Sequence, residues 1–225
     1  MCIDAGADGL GLLLMLDYPR GDAITRETAK NLSDYFRQHA KGGVSVLITH
    51  SMDCQAIAET ARFTGVDAVQ VHNDSEDEIS IEDLRMIKDA LPSGTGLIKV
   101  LHVPCKGPVD DELVNHARQL AEVADALILD TKAVEIIEGR EFTTLGGTGC
   151  ANDRDIARAI VEAVKPCPVI YAGGLNPENV AEATNYVKPY GVDVNSGTRK
   201  QGSDKKDPVK IASFAQNAWN AFSLI

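Results

Sequence analysis

Two glycine-bearing turns near the C-terminus are the residues of this 225-residue chain whose types and spacing most directly suggest chemistry. Ala172-Gly173-Gly174-Leu175 closes the apolar run Val169-Ile170-Tyr171, and Asn195-Ser196-Gly197 closes Val192-Asp193-Val194. Each leaves backbone N–H groups at the C-terminal end of a short strand, and neighbouring turns of that kind make an anion cradle. Gly173, Gly174, Leu175, Ser196 and Gly197 are therefore expected to bind a phosphate. Asn176 and Pro177 are expected to be the N-cap and first residue of the helix that follows. Polar side chains recur at other strand ends as well: Gln70 and His72, Asp130, and Asp193. Alternation along a strand points Gln70 and His72 to one face, the geometry of a pocket lining.

The elements that must position these residues follow a regular alternation. Apolar, β-rich runs fall at 8–15, 44–49, 68–72, 96–103, 126–131, 169–172 and 192–194, with helical patterns at 24–40, 52–63, 81–90, 110–123, 153–164, 177–187 and 208–221. Thr25 and Asp53 are expected at helix N-termini. Uniformly apolar strands separated by helices predict a parallel sheet covered by helices. Polar residues at the C-terminal strand ends favour a (β/α)8-type TIM barrel, whose loops after strands seven and eight are the usual phosphate site. The dinucleotide and P-loop glycine motifs of open nucleotide-binding sheets do not follow the first strand. Seven strands are recognisable, so one strand of the eight is expected to be missing from the front. Residues 1–225 are read as a single domain, since no linker or low-complexity run divides them.

The formal net charge of −11 disfavours nucleic acid and anionic membrane surfaces as partners. An anionic small molecule must then be held by local dipoles and a few placed cations. The five cysteines are widely spaced and make no Cys-x-x-Cys or His/Cys ligand cluster, which fits reduced cytosolic thiols and predicts no metal site. No stretch has signal-peptide or membrane-spanning character, so a cytoplasmic location is expected.

The motifs in order resemble the phosphoribosylanthranilate isomerase family of tryptophan biosynthesis. Ala5-Gly6-Ala7-Asp8-Gly9-Leu10-Gly11 is similar to the family's entry to strand two, and Asp67-Ala68-Val69-Gln70-Val71-His72 to its strand four. Leu97-Ile98-Lys99-Val100, Leu127-Ile128-Leu129-Asp130-Thr131 and Gly146-Gly147-Thr148-Gly149 resemble the segments that come next. Gly173-Gly174-Leu175-Asn176-Pro177-Glu178-Asn179-Val180 is close to verbatim, and Val192-Asp193-Val194-Asn195-Ser196-Gly197 differs mainly by Asn195 in place of serine.

The resemblance implies an Amadori rearrangement of a phosphoribosyl substrate, with no cofactor, because side chains can make both proton transfers. It places the general acid on Asp130, where desolvation by the preceding apolar run favours the protonated form. It places Arg20, Gln70, His72, Gly147, Thr148 and Asp193 around the substrate. The family's base is the cysteine of a Lys-Ile-Cys-Gly motif ending its first strand. The 225 residues contain no such motif, and Cys2, ahead of Gly6, is expected on the far side of the barrel. Among the other thiols Cys150 is the one expected near the mouth. The aromatic Phe-Asp-Trp that usually follows the glycine loop is replaced by Asn152-Asp153-Arg154, and Thr198-Arg199 stands where Val-Glu is usual. Two other readings stay open: a different phospho-sugar barrel enzyme, and a relative that binds a phosphorylated ligand without turnover. An unpaired sheet edge is expected to be shielded by the long segment 132–145 or by a second copy in a homodimer.

Overall fold

The computed structural model describes residues 1–16, 21–72, 79–137, 140–145 and 153–224. Its elements run β1 (Gly9–Leu13), α1 (Arg26–His39), β2 (Val44–Thr49), α2 (Cys54–Thr64), β3 (Ala68–Val71), α3 (Ile81–Ala90), β4 (Gly96–Pro104), α4 (Asp111–Ala121), β5 (Ala126–Ile137), β6 (Arg140–Leu145), α5 (Arg154–Ala163), β7 (Val169–Tyr171), α6 (Val180–Val187), β8 (Gly191–Val192) and α7 (Pro208–Phe222). Seven strands are parallel, in the order β1-β2-β3-β4-β5-β7-β8, and all seven expected helices form. Among the described residues β1 and β8 do not pair, so they are the two ends of the curled sheet. No described helix is long and apolar enough to cross a membrane.

Local chemistry sets the helix starts. Thr25 accepts a hydrogen bond from the Thr28 N–H at 3.2 Å, and Asp53 accepts from Gln55 and Ala56 at 3.0 Å each, as their sequence positions predict. The expected cap at Asn176 is corrected. Its Oδ1 accepts from the N–H groups of Glu178 and Asn179, which closes a turn, and α6 begins only at Val180. An asparagine that bonds its own backbone two and three residues ahead makes an Asx turn as readily as a helix cap. The segment 132–145 is also corrected from a loop. It continues β5 and returns as β6 in an antiparallel hairpin, from Lys132↔Leu145 to Ile137↔Arg140. Among the described residues it therefore pairs with β5 and not with β1 or β8.

Alternation divides the strands into two faces. Leu12, Leu47, Val69, Leu97, Leu127, Leu129, Val169 and Tyr171 pack outward into the large core under the helices. Burial pushes the Tyr171 hydroxyl up to about 12, so it stays neutral there. Ala68, Ile98, Val100, Ile128 and Ala172 form a smaller cluster on the inner face. That inner face continues toward the C-terminal strand ends, where the polar residues begin.

Candidate functional site

The two glycine turns meet at the C-terminal end of the sheet. Gly173 and Gly174 hold φ of 79° and 66°, the left-handed region that side chains avoid. A Cβ on Gly173 would stand 2.1 Å from Thr131 Oγ1, and one on Gly197 would stand 1.9 Å from the Leu175 carbonyl oxygen. Only glycine permits these approaches, and they press the turn after β8 directly against the turn after β7. Asn179 Nδ2 donates to the Gly174 carbonyl at 3.0 Å, and Asn179 Oδ1 accepts from the Asn176 N–H at 2.9 Å, which braces the first turn from behind. The N–H groups of Gly173, Gly174, Leu175, Ser196 and Gly197 have no acceptor among the described residues. Five such donors on two touching turns form a concentrated anion-accepting surface.

Asp130 adjoins that surface. Its Oδ1 accepts from the Thr131 N–H at 2.7 Å and lies 3.2 Å from where Gly173 would carry a Cβ. Across β4 and β5, His102 is the register partner of Asp130. His102 is one of three imidazoles on consecutive strand ends. The His50 and His72 rings stack at 5.4 Å between centroids, and His102 meets His72 edge-on at 5.3 Å. Gln70 lies buried one layer below His72 on the inner face. No group of three His, Cys, Asp or Glu residues among the described residues is arranged to hold a metal ion.

On the other side of the mouth Asp193 is exposed to solvent, with protein packed close around it. That crowding, and then the charge of Asp130, pushes its carboxyl above the ordinary carboxylate range; Lys206, the Val194 N–H and His72 oppose the shift. Burial holds the Lys206 ammonium below its ordinary value, with Asp193 acting against it. These opposed shifts put Asp130, Asp193, His72 and Lys206 in one electrostatic neighbourhood.

The structure thus brings Asp130, Gln70, His72, Asp193 and the five cradle residues to one end of the sheet. Arg20, Gly147, Thr148 and Cys150 lie outside the described residues. Cys2, Cys54, Cys105 and Cys167 form no disulfide among the described residues. Cys2 lies in a turn ahead of β1. Three contributors escaped sequence reasoning. His50 and His102 follow Ile48 and Val100 at the same period of two that identified His72, so that signal was present. Lys206 sits in the charged run Asp204-Lys205-Lys206-Asp207, which by pattern is a solvated loop.

Fold and site together define a TIM-type barrel with titratable side chains and glycine-turn backbone donors at the mouth formed by its C-terminal strand ends. Comparison with known proteins makes this specific: a family model described as N-(5'phosphoribosyl)anthranilate (PRA) isomerase matches residues 19–217. The chain belongs to that family of enzymes. It is 33% identical over 222 residues to N-(5'-phosphoribosyl)anthranilate isomerase 2 of Methanosarcina mazei, covering 99% of this chain and 89% of the relative. With the N-(5'-phosphoribosyl)anthranilate isomerase of Haloferax volcanii it shares 36% over 219 residues, 96% and 86% of the two chains. Among solved structures, phosphoribosyl anthranilate isomerase from Thermotoga maritima superposes with a TM-score of 0.73 at 25% identity, over 97% of this chain and 91% of that one. The enzyme from Pyrococcus furiosus gives 0.71 at 25% identity, over 97% and 92%.

Proposed function

We propose that the chain carries out the family's reaction, converting N-(5-phosphoribosyl)anthranilate to 1-(2-carboxyphenylamino)-1-deoxyribulose 5-phosphate in tryptophan biosynthesis, in the cytoplasm. The observation that carries the site assignment is the contact between the two turns, whose five N–H groups have no acceptor among the described residues, with Asp130 beside Gly173. The backbone donors of Gly173, Gly174, Leu175, Ser196 and Gly197 hold the phosphate. With that end fixed, the ribose lies over the inner face, and Asp130 protonates the furanose ring oxygen as the ring opens. A base at the mouth then takes the C2′ proton to give the enolamine, which becomes the ketone. Both proton transfers are within reach of side-chain acid–base chemistry, so no metal or organic cofactor is invoked. Gln70, His72 and Asp193 line the space between phosphate and aryl group.

Turnover of N-(5-phosphoribosyl)anthranilate by the purified chain tests this directly. On a second reading the barrel binds the phosphorylated ligand without converting it. Phosphate binding with product formation supports the isomerase; the same binding with no product supports the alternative.

A further inference from the structure

The loops after β1 and β8 stand at opposite ends of the sheet order, and no strand pairing joins them among the described residues. Side chains join them instead. Arg199 Nη2 donates to Asp22 Oδ2 at 2.6 Å, and Arg199 Nη1 is ion-paired with Asp204 Oδ1 at 2.9 Å. Asn195 Nδ2 reaches the same Asp22 oxygen at 3.5 Å. From the other side, Lys206 Nζ donates to the carbonyl oxygen of Asn195 at 2.6 Å and to its Oδ1 at 2.7 Å. An antiparallel bridge between Arg199 and Lys206 closes the base of this loop, and Lys210 Nζ donates to the Arg199 carbonyl at 3.0 Å.

The consequence lies in chain order. Ser196 and Gly197, the β8 half of the anion cradle, are held between Asn195 and Arg199, and both of those residues bond Asp22. The Arg199 and Asp22 side chains are only 22% and 19% exposed, so the pair is not an ordinary solvated surface bridge. Backbone donors bind a dianion best when they already converge, because no ordering cost is then charged to the ligand. We propose that the Arg199–Asp22 pair is a clamp that holds the Ser196 and Gly197 donors in place for an anion, making Arg199 a positioning residue for phosphate. The proposal rests on the phosphate reading of the two turns.

Asp22 gives the test its sign. If charge alone mattered, Asp22→Asn would remove a negative group near the cradle and tighten phosphate binding. If the clamp matters, the same change loosens the turn and weakens binding. The experiment is calorimetric titration of inorganic phosphate into the parent, Asp22→Asn, Arg199→Gln, the double variant and Arg199→Lys, with Asp34→Asn on the exposed face of α1 as control.

Asp22→Asn and Arg199→Gln are each expected to weaken phosphate about tenfold. The double variant should be no weaker than the worse single, and Arg199→Lys should recover most of the loss while Asp34→Asn changes nothing. In isomerase kinetics KM should rise more than kcat falls. Unchanged or tighter binding by Asp22→Asn, or a double variant whose loss is the product of the single losses, overturns the clamp. If Arg199→Gln does not fold, Asp22→Asn and Arg199→Lys decide the question by the same criteria. A parent that binds phosphate but turns nothing over refutes the proposed activity while leaving the clamp to be judged by these affinities. A parent that binds no phosphate at millimolar concentration refutes cradle and clamp together.

Discussion

Asp130 and the glycines beside it show how little room for substitution the site has. The carboxyl accepts from the Thr131 N–H of its own strand and is bordered by Gly173 in the turn after β7. Asp130→Asn keeps the shape and removes the transferable proton; turnover is expected to fall by about 10²–10⁴ with phosphate affinity retained. Turnover within a few-fold of the parent would remove Asp130 from the role of acid. Gly197→Ala tests the cradle by a different route. Its Cβ would meet the Leu175 carbonyl oxygen at 1.9 Å, and both contacting groups are backbone, so the two turns must separate. The expected outcome is a loss of about 1–3 kcal/mol in unfolding free energy, together with loss of phosphate binding. Thermal melts and titration of the same sample check both; an alanine variant with parental phosphate affinity would show that the turns need not touch.

At the scale of elements, the histidine row belongs to three strands. His50, His72 and His102 stand at the ends of β2, β3 and β4 and contact each other in sequence, while His102 shares register with Asp130. His102→Asn should therefore disturb the position of the His72 ring as well as its own. A rise of several-fold in KM for the aryl substrate, with phosphate affinity unchanged, is expected; an effect on phosphate affinity alone would place His102 outside the substrate's aryl end. This row also marks the limit of what pattern conveys. Helices and strands were legible because the 3.6 and 2 periods are dictated by burial within one element. The cradle glycines were legible because their turns are local. The helix start after Asn176 was misread because asparagine satisfies a turn and a cap with the same bonds. The β5–β6 hairpin was missed because Glu138-Gly139-Arg140-Glu141 carries charge where an apolar strand was sought. The Arg199–Asp22 pair spans most of the chain, and no local period encodes a contact between residues so far apart in sequence.

The whole molecule is a two-faced sheet: its outer face is buried under helices, and its inner face ends in a mouth where carboxyls accumulate. That second feature has a thermodynamic signature. Folding packs protein and the Asp130 carboxyl around Asp193, which stays exposed to solvent, and both effects favour its protonated form, against the weaker pull of Lys206, the Val194 N–H and His72. Its pKa is therefore higher in the folded state than in the unfolded chain. Between those two values the folded protein holds a proton that the unfolded chain has released, so stability falls as pH rises through the window. The contribution is fully present below the unfolded pKa and is lost once pH passes the folded one. Asp193→Asn removes the titration while keeping size and hydrogen-bonding capacity. Taking the difference in unfolding free energy between parent and variant cancels the other titrating groups. That difference should be most favourable to the parent at the acid end of ordinary aspartate titration and shift steadily toward the variant as pH rises above it. Denaturant unfolding at a series of pH values measures it. A parent that gains on the variant as pH rises would mean that Lys206 dominates the carboxyl's surroundings, and that Asp193 is stabilised at the mouth as an anion.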